Sequence, residues 1–429
     1  MLFPSKSPAA DRWLWRVIAT GVIAMPLFVS RSGKDSFRLP KEVLFRAEVI
    51  VLFTTLVGML CLKQFKRPIG ERNGVVIIAV AAIGWTFTSM LFATNRAVSS
   101  QAFAWIAGWT LISVVNYLLA RSRGIHAVDI AIIPALINAV VVLLQEAAIW
   151  NPFFPTHSEH EFHSGLVGNP DDIGMFLVLP TLATCGLVFV GRSRRVLHAA
   201  AAVLLLASAV ANHTLTALIA LAAGLLAMIF IVSKKAAIVA TAVAVLTTIA
   251  LVRYAPPFRQ RYELGKVWVA TRNYDTLLSG RMLPYLAASS MFLDHPIVGV
   301  GPGCFKWEYF PYKLKITERF NGFVVGWGIN FGEVHNDHLQ ILSEAGLPGY
   351  ALFILAAVVI GSGTFRPRRD KESLEERFSR LTSFPLMLAF LIVALGQFPL
   401  ELAAANAVDL YLFALCCAWT PHARTRTDD

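Results

Sequence analysis

Apolar residues run along this chain in long blocks separated by short polar breaks. A helix that crosses a bilayer needs about 20 consecutive, mostly apolar residues, and about twelve stretches read as such. The first six are Trp13 to Val29, Val43 to Leu62, Val75 to Ala93, Phe103 to Ala120, Val128 to Ile149 and Ile173 to Val190. The second six are Val196 to Ala211, Leu215 to Val232, Ala236 to Val252, His338 to Gly361, Phe384 to Gln397 and Leu400 to Trp419. Only Asn212 and His213 break the stretch from Val196 to Val232, so a count of eleven stays open. The expected fold class is an all-α polytopic membrane protein. Its one long hydrophilic segment, Arg253 to Glu333, is expected to be a partly helical outer loop between the ninth and tenth spans. Three regions follow: residues 1–252 with spans one to nine, 253–336 as the large loop, and 337–429 with spans ten to twelve.

Composition agrees with the pattern. Of 429 residues 56% are apolar and 15% charged, too few charges to cover a water-soluble globule of that size. This excludes a soluble dinucleotide-binding or barrel enzyme, a disordered scaffold and a secreted disulfide framework. The net charge of +11 would suggest nucleic acid for a soluble domain. In a polytopic protein it is what the sorting of Lys and Arg to cytoplasmic loops produces, so a lipid bilayer is the expected partner and nucleic acid is not.

Basic clusters fall on every second connection: Lys63/Lys66/Arg67/Arg72, Arg121/Arg123, Arg192/Arg194/Arg195, Lys234/Lys235, Arg366/Arg368/Arg369/Lys371 and Arg424/Arg426. With Lys6, Arg12 and Arg16 they set both termini in the cytoplasm and the long loop outside. One outer connection breaks the rule, since it carries Arg31, Lys34, Arg38 and Lys41. The first apolar stretch is not followed by a small-x-small cleavage site and reads as a retained span. Cys304 alone of the five cysteines lies in an outer loop, so a disulfide on that side has no partner within the chain.

The long loop holds ten Lys/Arg against six acids. An outward cationic site suits a phosphate-bearing ligand, because the guanidinium fork matches phosphate oxygens; the alternative is that the charges only solvate the loop. Gly280-Arg281 opens an apolar stretch, Met282 to Phe292, that reads as an amphipathic helix at the membrane surface. Gly299-Val300-Gly301-Pro302-Gly303 fails the spacing of a dinucleotide fingerprint and reads as a tight turn returning the chain to the membrane.

The loop closes on His335-Asn336, followed after nine residues by Gly346 and after two more by Gly349. This pattern resembles the signature of bacterial O-antigen ligases and the related O-antigen and exopolysaccharide polymerases. Arg281 with the run Asp294 to Phe305, and Gly168-Asn169-Pro170-Asp171-Asp172 ahead of the sixth span, are similar to further features of that family. The resemblance implies a glycosyltransferase of the C type in the bacterial inner membrane, with its active site facing the periplasm and no cofactor. It implies a glycan donor on undecaprenyl pyrophosphate, and an acceptor that is lipid A-core or a second glycan. By position, His335 becomes the base or acceptor-orienting residue and Arg281 the pyrophosphate contact, with Asn336 and His338 beside them. Many relatives carry an Arg at the turn where this chain has Asn212-His213-Thr214. That leaves Lys41, Arg46, Arg253 and Arg259 as candidates for the missing cation.

The chemistry of the residues fits independently. A neutral His accepts a hydroxyl proton near pH 7, and Arg stabilises charge on a departing pyrophosphate without a metal. The bland alternatives are a helix-start histidine bonded to local backbone and an arginine anchored among headgroups. Asp171 and Asp172 read either as an alternative base or, preferably, as helix N-terminal caps. His157, His160 and His163 with Glu159 and Glu161 could hold zinc, though a solvated loop is the default reading. Glu146 and Glu401 are costly in lipid and are expected to face the interior. Lys371 to Leu381 reads as a charged cytoplasmic helix that sorts topology. The expected function is O-antigen ligation to lipid A-core; the alternatives are a polymerase of the same family and a transporter or flippase of lipid-linked glycans.

Overall fold

A computed structural model describes the chain except for residues 1–6, 31–34, 65–73, 152–163, 192–193, 320–329, 367–370 and 421–429. The His157/His160/His163 cluster lies outside the described residues. All regular structure among the described residues is helical. Among the described residues nine α-helices precede the long loop: α1 Pro8–Ala24, α2 Arg38–Cys61, α3 Gly74–Leu91, α4 Arg96–Ala120, α5 Asp129–Glu146, α6 Pro170–Val190, α7 Arg195–Ala211, α8 Leu215–Val232 and α9 Lys234–Tyr254. The loop contributes α10 Pro256–Ala270, α11 Tyr274–Leu277, α12 Met282–Asp294 and α13 Phe305–Arg319, and the chain ends on α14 Asp337–Gly361, α15 Leu374–Gly396 and α16 Ala403–Trp419.

Each apolar stretch falls on a helix. Eight helical segments among the described residues are long and apolar enough to cross a membrane: α2, α3, α4, Ile125–Glu146, α6, α8, Asp337–Phe365 and α15. The segments Arg195–Ala211 and Ala403–Trp419 are shorter apolar helices. The chain is thus compatible with a polytopic membrane protein.

Helix α6 is the hub. Most of its side chains are buried, and it packs against α5, α7, α8, α15 and α16. Small residues let neighbours approach closely, as is usual between helices in lipid. Gly186 faces Thr382 and Phe378 of α15, and Gly224 of α8 faces Leu182. Around this core, α2, α3 and α9 turn exposed Ile50, Val80 and Ile238 outward, as lipid-facing helices do.

Two expectations change. The charged helix expected over Lys371 to Leu381 is the start of a longer one. Ser373 and Glu376 form a capping box at the start of α15, which runs unbroken into the apolar stretch. Pro385 lies inside it, and the neighbouring Phe384 N–H donates to Thr364 Oγ1 at 2.9 Å, so tolerance of proline lets one helix replace two. Secondly, α12 does not keep its apolar face for a membrane surface. Leu283, Ala287, Ala288 and Met291 are buried in a second core with Val300, Cys304, Phe305, Tyr309 and Val334. Helix α14 is kinked where Gly346 takes φ 67°, ψ −172°.

That kink explains the glycines of both motifs. At the break the glycine run replaces the missing helical partners: Val300 N–H donates to Ser343 O (2.9 Å), Gly301 N–H to Glu344 O (3.0 Å) and Leu347 N–H to Pro296 O (2.9 Å). The Glu344 carboxylate accepts from Gly303 N–H at 2.8 Å and Phe305 N–H at 3.1 Å. A Cβ at Gly346 would meet the Ile297 carbonyl, and one at Gly299 the backbone of Glu344. The expected tight turn is therefore present, and it is pinned onto α14 just below His335.

Candidate functional site

Four helices begin at one place. Arg38 is the first residue of α2, Asp171 and Asp172 lie in the first turn of α6, Arg281 is the N-cap of α12, and His335 directly precedes Asn336, the N-cap of α14. Local sequence fixes these starts. Asp35 Oδ1 accepts from Phe37 and Arg38 N–H, Asn169 Oδ1 from Asp172 N–H, Asp275 Oδ1 from Met282 N–H and Asn336 Oδ1 from Leu339 N–H. Helix N-termini carry partial positive charge, so their convergence favours an anion.

Asp171 and Asp172 are therefore not the caps of α6; Asn169, just before Pro170, performs that task. Each aspartate takes an arginine instead. Arg281 Nη2 lies 3.0 Å from Asp171 Oδ2, and its Nη1 donates to Gly396 O at the carboxyl end of α15 at 2.6 Å. Arg38 Nη2 lies 3.6 Å from Asp172 Oδ2 and its Nη1 lies 3.2 Å from Glu333 Oε1.

His335 sits between the two pairs. Its backbone is left-handed at φ 58°, a conformation that costs a non-glycine residue of order 1–3 kcal/mol. Its carbonyl accepts from Tyr285 Oη at 3.1 Å. The ring stands edge-on to Phe398, with centroids 4.6 Å apart, and to Phe331 at 5.7 Å. Its Nδ1 is buried and makes no hydrogen bond. Burial, followed by the charges of Arg281 and Arg38, lowers the imidazole pKa to about 4, against the opposing influence of Asp171 and the Gln397 side chain. The histidine is neutral at pH 7, with an unoccupied ring nitrogen.

The other sequence candidates go elsewhere. Asn336 is buried as a helix cap. His338 has both ring nitrogens engaged, Nδ1 with Tyr350 Oη at 3.1 Å and Nε2 with Leu391 O at 3.2 Å. Lys41 is buried, and its Nζ donates to Phe37 O at 3.0 Å and Leu166 O at 2.9 Å, tying α2 to the turn before α6. Arg46 pairs loosely with Glu42 at 3.9 Å on the exposed side of α2. Arg253 lies over the ring of its neighbour Tyr254, while Arg259 belongs to α10, which packs on α9 and α11. Glu401, expected to face the interior, is exposed and accepts from Gln340 Nε2 at 3.0 Å.

Sequence reasoning did not nominate Arg38, Glu333, Gln397 or Phe398 for this site. One signal did point to Arg38: it belongs to the outer connection that violates the charge-sorting rule.

A helical, polytopic membrane protein with a histidine set among ion-paired arginines at one end of its bundle is the class that fold and site define. Residues 200–354, less than half of the chain, match the family model described as O-antigen ligase, and this supports a relation to that family. The matched segment contains Arg281, His335, Gly346 and Gly349, whereas Arg38, Asp171, Asp172 and Phe398 lie outside it. No curated protein matches the chain.

Proposed function

We propose that the chain transfers a glycan from undecaprenyl pyrophosphate to a sugar hydroxyl of lipid A-core, on the periplasmic face of the inner membrane, without a metal. The acceptor oxygen bonds to the anomeric carbon and the bond from that carbon to the phosphate oxygen breaks. Pyrophosphate leaves with the electron pair, and the hydroxyl proton passes to the His335 imidazole. Arg281, held by Asp171 and Gly396 O, faces the charge that gathers on the leaving group. The observation that carries this reading is the placing of His335, its ring edge-on to Phe398, beside the Arg281–Asp171 and Arg38–Asp172 pairs. An apolar cavity of about 370 Å³ between α3, α4, α14 and α16, lined by Trp85, Trp105, Trp109, Phe353 and Leu400, suits part of a prenyl tail. Leu400, on the wall of this cavity, is two residues from Phe398.

Deletion of the gene, followed by electrophoresis of surface glycolipids, tests the assignment. Bare core lipid together with polymer accumulating on its polyprenyl carrier is expected. Core bearing a single repeat unit would make the protein a polymerase, and unchanged core with loss of secreted polysaccharide would remove lipid A as the acceptor.

A further inference from the structure

We propose that Arg38 is a second phosphate-binding residue of this site and that, with Arg281, it takes the pyrophosphate of the lipid-linked donor, Asp172 and Asp171 holding the two guanidiniums in place when no phosphate is bound. The inference rests on the functional reading above and adds a residue outside the segment that matches the family model.

Geometry sets Arg38 apart from every other cation considered. Arg281 is mostly buried, with a side chain 17% exposed, and both terminal nitrogens are hydrogen bonded within the protein. The Arg38 side chain is 37% exposed, and among the described residues its guanidinium makes one side-chain hydrogen bond, to Glu333; its contact with Asp172 is longer, at 3.6 Å. An arginine has five N–H donors, so most of those on Arg38 stay available on the open side of the cluster. The guanidinium also lies over the Phe398 ring, 5.2 Å from its centroid, and the same ring packs against His335. A stacked guanidinium keeps its plane and so presents its donors in a fixed direction, which favours bidentate contact with phosphate.

In the absence of ligand the two arginines are held by three carboxylates, Asp171, Asp172 and Glu333. A pyrophosphate entering between the arginines would compete with carboxylates for the same donors, assisted by the four converging helix N-termini. Asp172 is almost fully buried and leaves Oδ1 without a partner, so it restrains Arg38 from one side without saturating it. The turn at Asn212-His213-Thr214, which offers no arginine, lies against the start of α6 through a 3.0 Å bond from Thr214 Oγ1 to Pro170 O. Arg38 brings a positive charge to the same helix start from α2.

The test uses the full-length protein in liposomes and measures glycan transfer against donor concentration, with inorganic pyrophosphate as inhibitor and as ligand in a thermal-shift assay. The variants are Arg38→Ala, Arg38→Lys and the double variant Arg38→Ala/Asp172→Asn, which avoids leaving Asp172 as a buried unpaired carboxylate. We expect Arg38→Ala to raise the donor KM and the pyrophosphate inhibition constant by about tenfold or more, with Arg38→Lys between it and the parent. The double variant should regain thermal stability without regaining donor affinity. The inference is overturned if the double variant recovers the parental donor KM, which would make Arg38 a structural partner of Asp172 only. It is equally overturned if pyrophosphate competes with the acceptor and not with the donor, which would assign Arg38 to an acceptor phosphate. If the parent transfers no glycan yet shows an Arg38-dependent shift with pyrophosphate, the functional reading fails and the phosphate site stands.

Discussion

Arg281 and Asp171, 110 residues apart in sequence, are joined by a 3.0 Å ion pair in which the arginine also donates to the last carbonyl of α15. The pair locks the starts of α6 and α12 to the end of α15 and fixes where the guanidinium points. Arg281→Ala is expected to lower kcat by about 10²- to 10³-fold, the usual loss when a donor to developing charge is removed. Asp171→Asn should cost less, since Gly396 O still holds Nη1. Equal losses in the two variants would mean that the ion pair, not the cation, is what matters.

The acid limb of the pH profile reports on His335. Its pKa is lowered to about 4, so the ring is neutral and able to accept a proton throughout the range above that value, and protonated below it. The free-enzyme profile of kcat/KM should therefore stay level from pH 8 to about 5 and fall only on approaching 4. A fall centred near 6.5, the ordinary histidine value, would show that burial and the two arginines do not act on this ring. His335→Asn, which tolerates the left-handed backbone, should lose about 10²- to 10⁴-fold in rate while keeping the parental melting temperature.

How much of this was legible in the sequence depends on the range of the interaction. The apolar blocks and the turn at Gly299 to Gly303 were readable because each is a local pattern. Asn169 was readable too, as an Asn immediately before a helix-opening Pro, yet the adjacent aspartates drew the cap reading to themselves. Lys41 was nominated as a cation for the substrate, but its ammonium is engaged by two carbonyls, and one of them, Leu166 O, is 125 residues away. Arg38 was visible only as an exception to charge sorting. Nothing local tells an arginine that it will meet Asp172 and Glu333, because those pairings exist only once α2, α6 and the start of α14 are assembled.

The kink in α14 makes Gly346→Ala a test of the scaffold. A side chain there would have to adopt positive φ and displace the Ile297 carbonyl, a combination expected to cost about 2 kcal/mol or more. Thermal unfolding in detergent should show a clear fall in melting temperature, accompanied by loss of transfer as the glycine run detaches. His338→Ala should lower stability through the bonds to Tyr350 and Leu391 O and affect transfer less than His335→Ala. The reverse order of effect would move the reacting centre down α14.

Treatment with EDTA should leave transfer unchanged if arginines alone meet the leaving group's charge. Inhibition that Zn²⁺ reverses would bring His157, His160 and His163 into the reaction and displace the arginine account.

The most direct measurement is reconstitution of the purified protein in liposomes with an undecaprenyl-pyrophosphate-linked glycan and lipid A-core, with no other protein and no energy source. The account predicts glycan covalently attached to the core and an equal amount of undecaprenyl pyrophosphate released, both lost in His335→Asn. Movement of the intact donor between leaflets with no released carrier would contradict it and make the protein a transporter of lipid-linked glycans.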